Sequence, residues 1–341
     1  MEHKKIWTAA LAVALTLSMT APALGAQPDV GGEGETAPAY TVVQRGERFP
    51  VQVWGIAAEL GEMSLTLERG GGEAAAGQKL VVNVAENTLV LNGGTGEAGT
   101  FADLQAGEAV CAWVDPNMTE SLPPVSTAQL ILYGIPADFS APTYSEVASV
   151  REDGEGLEVY VNGEVVLHLS ADTRLLAAPG GEEKTVGMDN IVPGTRLLAW
   201  YDAATLSLPA QATPETVMVF PSTYAGWVET AGAEVLVNGA ALPLEGASSA
   251  RVEDGRLMVP VRALAEALGC TVTWEAYTNQ VCVSGTDGVL YQFIIGADQA
   301  ARGAVTVGLV APARAEDGVT FMALDDLIVL HGLKLAQSWA G

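Results

Sequence analysis

Apolar residues along this chain recur at two periods, and between Val252 and Val283 the period changes twice. Glu253-Asp254-Gly255 reads as a turn, because Gly tolerates positive φ and Asp bonds its own backbone. Leu257-Met258-Val259 follows as a short strand. Val261, Leu264, Ala265 and Leu268 then fall at i, i+3, i+4 and i+7, one face of a helix. Pro260 suits the start of that helix, where its missing N–H is an orphan anyway, and Gly269 suits its left-handed cap. Arg262 and Glu266 lie one turn apart on a wetter face. A hairpin comes next, in period two. Cys270, Val272 and Trp274 share one strand face, Thr271 and Thr273 the other, and Val281 and Val283 turn inward on the return strand.

The same grammar returns between Glu316 and Leu335. Glu316-Asp317-Gly318 repeats the turn, Leu324, Leu327 and Ile328 repeat the helical stripe, and Gly332 falls on Gly269. Two short helices are therefore predicted, near Pro260–Leu268 and Ala323–His331. The second copy departs from the first, with Ala323 at the Pro position and Asp325 at the Arg position.

The element Val259-Pro260-x-Arg262, followed by Leu268-Gly269-x-x-Val272-x-Trp274, resembles the copper amine oxidase-like N-terminal domain, the stalk domain of secreted bacterial surface proteins. The resemblance runs over about residues 225–335, within a domain expected at 225–341. It implies one α+β domain with an internal duplication and a module that is not catalytic. Gly255, Val259, Pro260, Arg262, Leu264, Leu268, Gly269 and Trp274 carry the resemblance and are expected to be structural.

Ahead of that domain the chain repeats itself. Leu80–Val90 aligns with Val165–Leu175, and Ala106–Pro124 with Pro193–Ala210; Trp113 falls on Trp200 and Leu122-Pro123 on Leu208-Pro209. Each unit, 46–137 and 144–222, offers about five short apolar or alternating runs between Gly, Asn and Asp turns. The fold expected is mainly β: two tandem small antiparallel barrels or sandwiches, then the α+β stalk-type domain with its duplicated strand–helix–hairpin. Trp113 and Trp200 are expected in the core of their own barrels; the alternative is an exposed aromatic platform for sugar.

Residues 1–26 are expected to be a signal peptide, with Lys4 and Lys5 before the apolar run Ile6–Leu17 and small residues at 23–26 for cleavage. That run is too short for a membrane span. Residues 27–45, rich in Gly, Glu, Pro and Thr, read as a flexible linker. No later segment looks able to span a bilayer, so the protein is expected to be exported, and extracellular or held non-covalently at the cell surface. The net charge of −25 excludes phosphate-driven nucleic-acid binding. Three cysteines, Cys111, Cys270 and Cys282, cannot form a complete disulfide framework. Alternation puts Cys270 and Cys282 on opposite faces of their hairpin, which disfavours a bridge unless a bulge intervenes.

Chemistry is sparse. Copper amine oxidation needs three His ligands, and beyond His3 the chain has only His168 and His331. His168 aligns with Asn83 and reads as an exposed strand residue. His331 reads as a cation favoured at a helix C-terminus. Neither is expected to hold metal, and no cofactor is expected. No zincin, nucleophile-elbow or P-loop motif occurs. Carboxylate pairs at Glu182-Glu183, Glu316-Asp317 and Asp325-Asp326 leave open a secreted hydrolase. The reading preferred on this sequence is a non-catalytic binding or structural protein whose partner is a wall polymer, an extracellular glycan or a surface protein. An inhibitor or regulator of a secreted protein is the other alternative.

Overall fold

The computed structural model describes residues 40–46, 48–69, 78–136, 141–154, 156–181, 185–232 and 234–337. The expected signal peptide and residues 27–39 of the expected linker lie outside this range. The described chain is mainly β, with several small sheets, one closed barrel and two short α-helices.

Strands β1 (Val51–Leu60), β2 (Ser64–Glu68), β3 (Lys79–Asn92), β4 (Ala109–Val114) and β5 (Val125–Tyr133) close the barrel in the order β1-β2-β3-β5-β4. Period-two alternation fills it with Val53, Leu65, Leu67, Val82, Val110, Ala112 and Ile131. The expectation of a purely antiparallel barrel fails at one ladder, since β3 and β5 run parallel. Parallel neighbours need a crossover connection. Here β4 and a 3-10 turn at Phe101–Asp103 provide it.

Next come β6 (Thr143–Asp153), β7 (Gly156–Val161), β8 (Val165–Leu169), β9 (Arg174–Ala177), β10 (Arg196–Trp200), β11 (Ala210–Ala212) and β12 (Thr216–Phe220), in the sheet order β11-β8-β7-β6-β10-β12-β9. Antiparallel ladders join β6 to β7, β7 to β8, β6 to β10 and β10 to β12; parallel ladders join β8 to β11 and β9 to β12. A second apolar core, around Val147, Val159, Leu167, Leu197 and Val217, fills this unit.

The two tryptophans sit elsewhere than expected. Val110, Ala112 and Val114 point into the barrel, so Cys111 and Trp113 between them point out; Leu197 and Ala199 point in, so Leu198 and Trp200 point out. These outward residues meet in a core shared by the two units, with Tyr144, Met218 and Phe220. Trp113 is 2% exposed and lies edge-on to Tyr144 at 5.4 Å between ring centroids. The Trp200 indole N–H donates to the Gly93 carbonyl at 2.9 Å. They are interface residues between the units, neither cores of separate barrels nor an open aromatic platform.

The C-terminal region contains β13 (Gly226–Ala231), β14 (Glu234–Val237), β15 (Ala240–Ala241), β16 (Arg251–Glu253), β17 (Arg256–Pro260), α1 (Val261–Ala267), β18 (Thr271–Glu275), β19 (Gln280–Gly285), β20 (Gly288–Ile294), β21 (Gln299–Arg302), β22 (Val305–Gly308), β23 (Arg314–Glu316), β24 (Val319–Ala323), α2 (Leu324–His331) and β25 (Leu333–Leu335). Both Glu-Asp-Gly turns form alike. Asp254 and Gly255 have φ of 49° and 73°, and Asp317 and Gly318 have 49° and 80°, the two positive values of a type I′ hairpin. The strands that leave these turns, β17 and β24, pair antiparallel at Val259 and Met322. Each runs into its helix, whose apolar stripe is buried at Val261, Leu264 and Ala265 in α1 and at Leu324, Leu327 and Ile328 in α2. Pro260 ends β17 one residue before the helix rather than opening it. Gly269, at φ 73°, and Gly332, at 72°, take the left-handed cap.

The duplication stops at the hairpin. After α1 the chain makes β18 and β19, whereas after α2 the strand β25 pairs parallel with β13. The end of the expected linker is also not free. Tyr40 O–H donates to the Gly232 carbonyl, Thr41 N–H to Gly255, and Val43 N–H to Asp325. Gln44 bonds Leu333 and Leu335, and Arg45 pairs with Asp326. Residues 40–45 are thus a strap on the C-terminal domain, because buried acceptors and sheet-edge groups there take up its donors. Among the described residues no helix is long and apolar enough to cross a membrane.

A candidate binding groove on the C-terminal domain

Trp274 was expected to turn inward with Val272. Both side chains do share a face of β18, but Trp274 is 58% exposed. The reason is positional. β18 is the edge strand of the sheet β18-β19-β20-β21-β22, and α1, only 7 residues long, covers part of that face and leaves the rest open. The result is a groove of about 770 Å³. One wall is β18 and β19, through Val272, Trp274 and Val281; another is α1, through Ala263 and Ala267. The β23–β24 hairpin of the second half closes the third side with Val319 and Thr320.

The groove sorts the eight residues that carried the sequence resemblance. Pro260, Arg262 and Trp274 line it. Val259 and Leu264 are fully buried beneath it, Leu268 packs against the same core, and Gly255 and Gly269 make turns. Arg262 is held toward Glu266 by an i,i+4 ion pair of 3.2 Å on the exposed face of α1. An apolar floor with a few charged and amide groups at the rim, here Arg262, Glu266 and Asn279, is the usual composition of a ligand site. The β23–β24 wall was missed in the sequence, because its approach depends on the β17–β24 ladder and on no local pattern.

The two described carboxylate pairs, Glu316-Asp317 and Asp325-Asp326, do not line this groove. Asp325 and Asp326 are fully buried on α2. Asp325 accepts from Arg256 at 3.1 Å and from the Val43 N–H at 3.0 Å. Asp326 accepts from the Val310 N–H at 3.0 Å and from Arg45. Burial pushes the Asp326 carboxyl up, against the pull of those donors. Asp325, which replaces the motif arginine, is therefore a structural anchor. Glu316 pairs with Arg251, and Asp317 forms the turn. Glu182-Glu183 lies outside the described residues.

The cysteines are free thiols: Cys111 is buried, which pushes it up to about 11. Cys282 sits opposite Thr273 in the hairpin ladder, flanked by inward Val281 and Val283, while Cys270 packs against the core.

His331 sits in the last turn of α2, but it is not the cation expected there. It is 3% exposed, and its Nε2 shares a 2.9 Å hydrogen bond with the Tyr291 hydroxyl. Burial, and then Arg302, push it down to about 4 from 6.5. A depressed folded-state value means the unfolded chain takes up the proton first. The stability contribution is complete above about pH 6.5 and is lost as the pH falls towards 4, about 3 kcal/mol in all. Urea unfolding at pH 7 and pH 4.5 should show a steeper loss in the native chain than in His331→Gln. Equal losses in the two would refute this account.

Residues 236–338 match the family model described as copper amine oxidase N-terminal domain. That domain is not itself a catalytic one. No curated protein and no solved structure matches the chain.

Proposed function

We propose that this is an exported, non-catalytic binding protein that holds an uncharged stretch of wall or extracellular glycan in the C-terminal groove. The observation that carries the reading is the convergence of Pro260, Arg262 and Trp274, the residues of the family motif, on one open groove with an exposed indole. A sugar ring suits both parts of that surface. Its C–H face stacks on Trp274, and its hydroxyls reach the Arg262, Glu266 and Asn279 rim. A net charge of −25 works against a polyanionic polymer and leaves neutral glycan favoured. The two N-terminal units are then a spacer built from two copies of one barrel. In support, the ladders of the second unit repeat those of the first when β8 with β9 is set against β3, and β11 with β12 against β5. A hydrolase is disfavoured because the described carboxylate pairs are taken by arginines and a turn.

The test is sedimentation with insoluble wall polysaccharide, and titration calorimetry with neutral oligosaccharides released from it. Trp274→Ala should weaken binding about tenfold or more, roughly 1.4 kcal/mol, with an unchanged melting temperature. Binding that survives in Trp274→Ala would remove the groove from the account. Stoichiometric copper with peroxide release from amines would overturn the non-catalytic reading.

A further inference from the structure

We infer that the second β unit carries a surface site for one borderline divalent cation of the zinc class, with Asp153, Glu158 and His168 as ligands. Strand register assembles it. Arg151 on β6 faces Glu158 on β7, and Glu158 faces His168 on β8, so the three stand in one row across the sheet. Asp153 lies two residues beyond Arg151, on the same side by the strand period. One ligand atom from each of Asp153, Glu158 and His168 lies within 4.8 Å of the others.

The imidazole is set for a metal by its other nitrogen. The Gln211 amide N–H donates to the Pro209 carbonyl at 3.4 Å, so its oxygen faces His168 Nε2 at 2.6 Å. Nε2 is therefore the donor to Gln211, and Nδ1 is the nitrogen turned toward the carboxylates, where its lone pair would be available to a cation lying between them. An outer partner that orients the ring in this way is typical of histidine ligands. His168 Nδ1 stands 3.7 Å from Glu158 Oε1. That is too long for a hydrogen bond, yet only slightly wider than the edge between two ligands each about 2.1 Å from a zinc ion. The other Glu158 oxygen is held by Arg151, which fixes the carboxylate and leaves Oε1 turned to the histidine. One imidazole with two carboxylates suits zinc and its neighbours; calcium would need six to eight oxygens. Asp153 is exposed and His168 is 36% exposed, so solvent and an ion can reach the site.

The first unit supplies an internal control. Its β2–β3 ladder pairs Ser64 with Asn83, the residue that aligns with His168, so it offers no such ligand set. The site belongs to one unit only, and it is independent of the groove.

The experiment is calorimetric titration of the untagged chain with Zn²⁺. One equivalent should bind; His168→Ala and Glu158→Gln should each abolish it. Gln211→Ala should weaken it about 10- to 100-fold, the effect usual for a lost outer partner. Ca²⁺ at equal concentration should not compete. No bound zinc, or zinc bound undiminished by His168→Ala and Glu158→Gln, would overturn the proposal and leave an ordinary cross-strand ion pair. The His168→Ala and Glu158→Gln changes are on an outer strand face, and a retained circular dichroism spectrum separates lost binding from lost fold.

Discussion

Glu146→Ala should destabilise the protein by about 3–5 kcal/mol, the usual effect of removing one partner from a buried ion pair. Glu146 is 6% exposed on β6. Its carboxylate takes the Lys334 ammonium, the Tyr224 O–H at 3.4 Å, and the Arg196 guanidinium with Nε at 3.6 Å. Lys334 belongs to β25, so this cluster holds the second β unit on the C-terminal domain. Arg196 also donates to Gln129 at 3.0 Å and lies over the Phe49 ring, which ties in the first barrel. Alanine would leave two cations almost buried side by side, with side-chain exposures of 12% and 7%. Urea unfolding measures the loss. Glu146→Met combined with Lys334→Met should cost less than the sum of the single changes, since the two residues interact directly. A loss below about 0.5 kcal/mol for Glu146→Ala, the scale of a surface change, would refute the anchoring role.

Asp326→Ala should cost a similar amount, about 3–5 kcal/mol. The side chain is fully buried and gathers three parts of the chain: α2, the Val310 N–H after β22, and Arg45 on the strap. Arg45 reaches in with 30% of its side chain exposed and also donates to the Gly308 carbonyl at 2.9 Å. Without the carboxylate, the Val310 donor loses its acceptor, a penalty of about 1–3 kcal/mol in itself. The strap should then loosen before the domain unfolds, and cleavage after Arg45 by trypsin should become rapid in the variant. Slow cleavage with unchanged urea stability would show that Asp326 does not hold the strap.

The C-terminal domain was the most legible part of the chain. Turn chemistry and helix periodicity are local, and both Glu-Asp-Gly turns, both helical stripes and both glycine caps form where the pattern put them, within one residue at Pro260. The match of residues 236–338 agrees with the resemblance read from those residues. Inward placement of Val281 and Val283 also followed from alternation, since both are buried on β19. The same rule failed for Trp274, because alternation names a face and does not say what covers it.

Side-chain period, turn type and cap residues are properties of neighbours in the chain, and for those the amino-acid order was sufficient. Which face meets which partner is a property of register and packing between distant segments. Parity alone put Trp113 beside Cys111 on one face of β4, but only the docking of two units made that face an interface. His168 read as an exposed strand residue because it aligns with Asn83 of the first unit; the β6–β7–β8 ladders bring Glu158 and Asp153 to it. Residues 40–45 read as linker from the Gly, Glu, Pro and Thr content of 27–45 as a whole, and only the tertiary structure brings Asp325, Asp326 and Leu333 to accept from the Val43 N–H, Arg45 and Gln44. Burying a carboxylate far from water requires such partners, and the tertiary structure draws them from the opposite end of the chain.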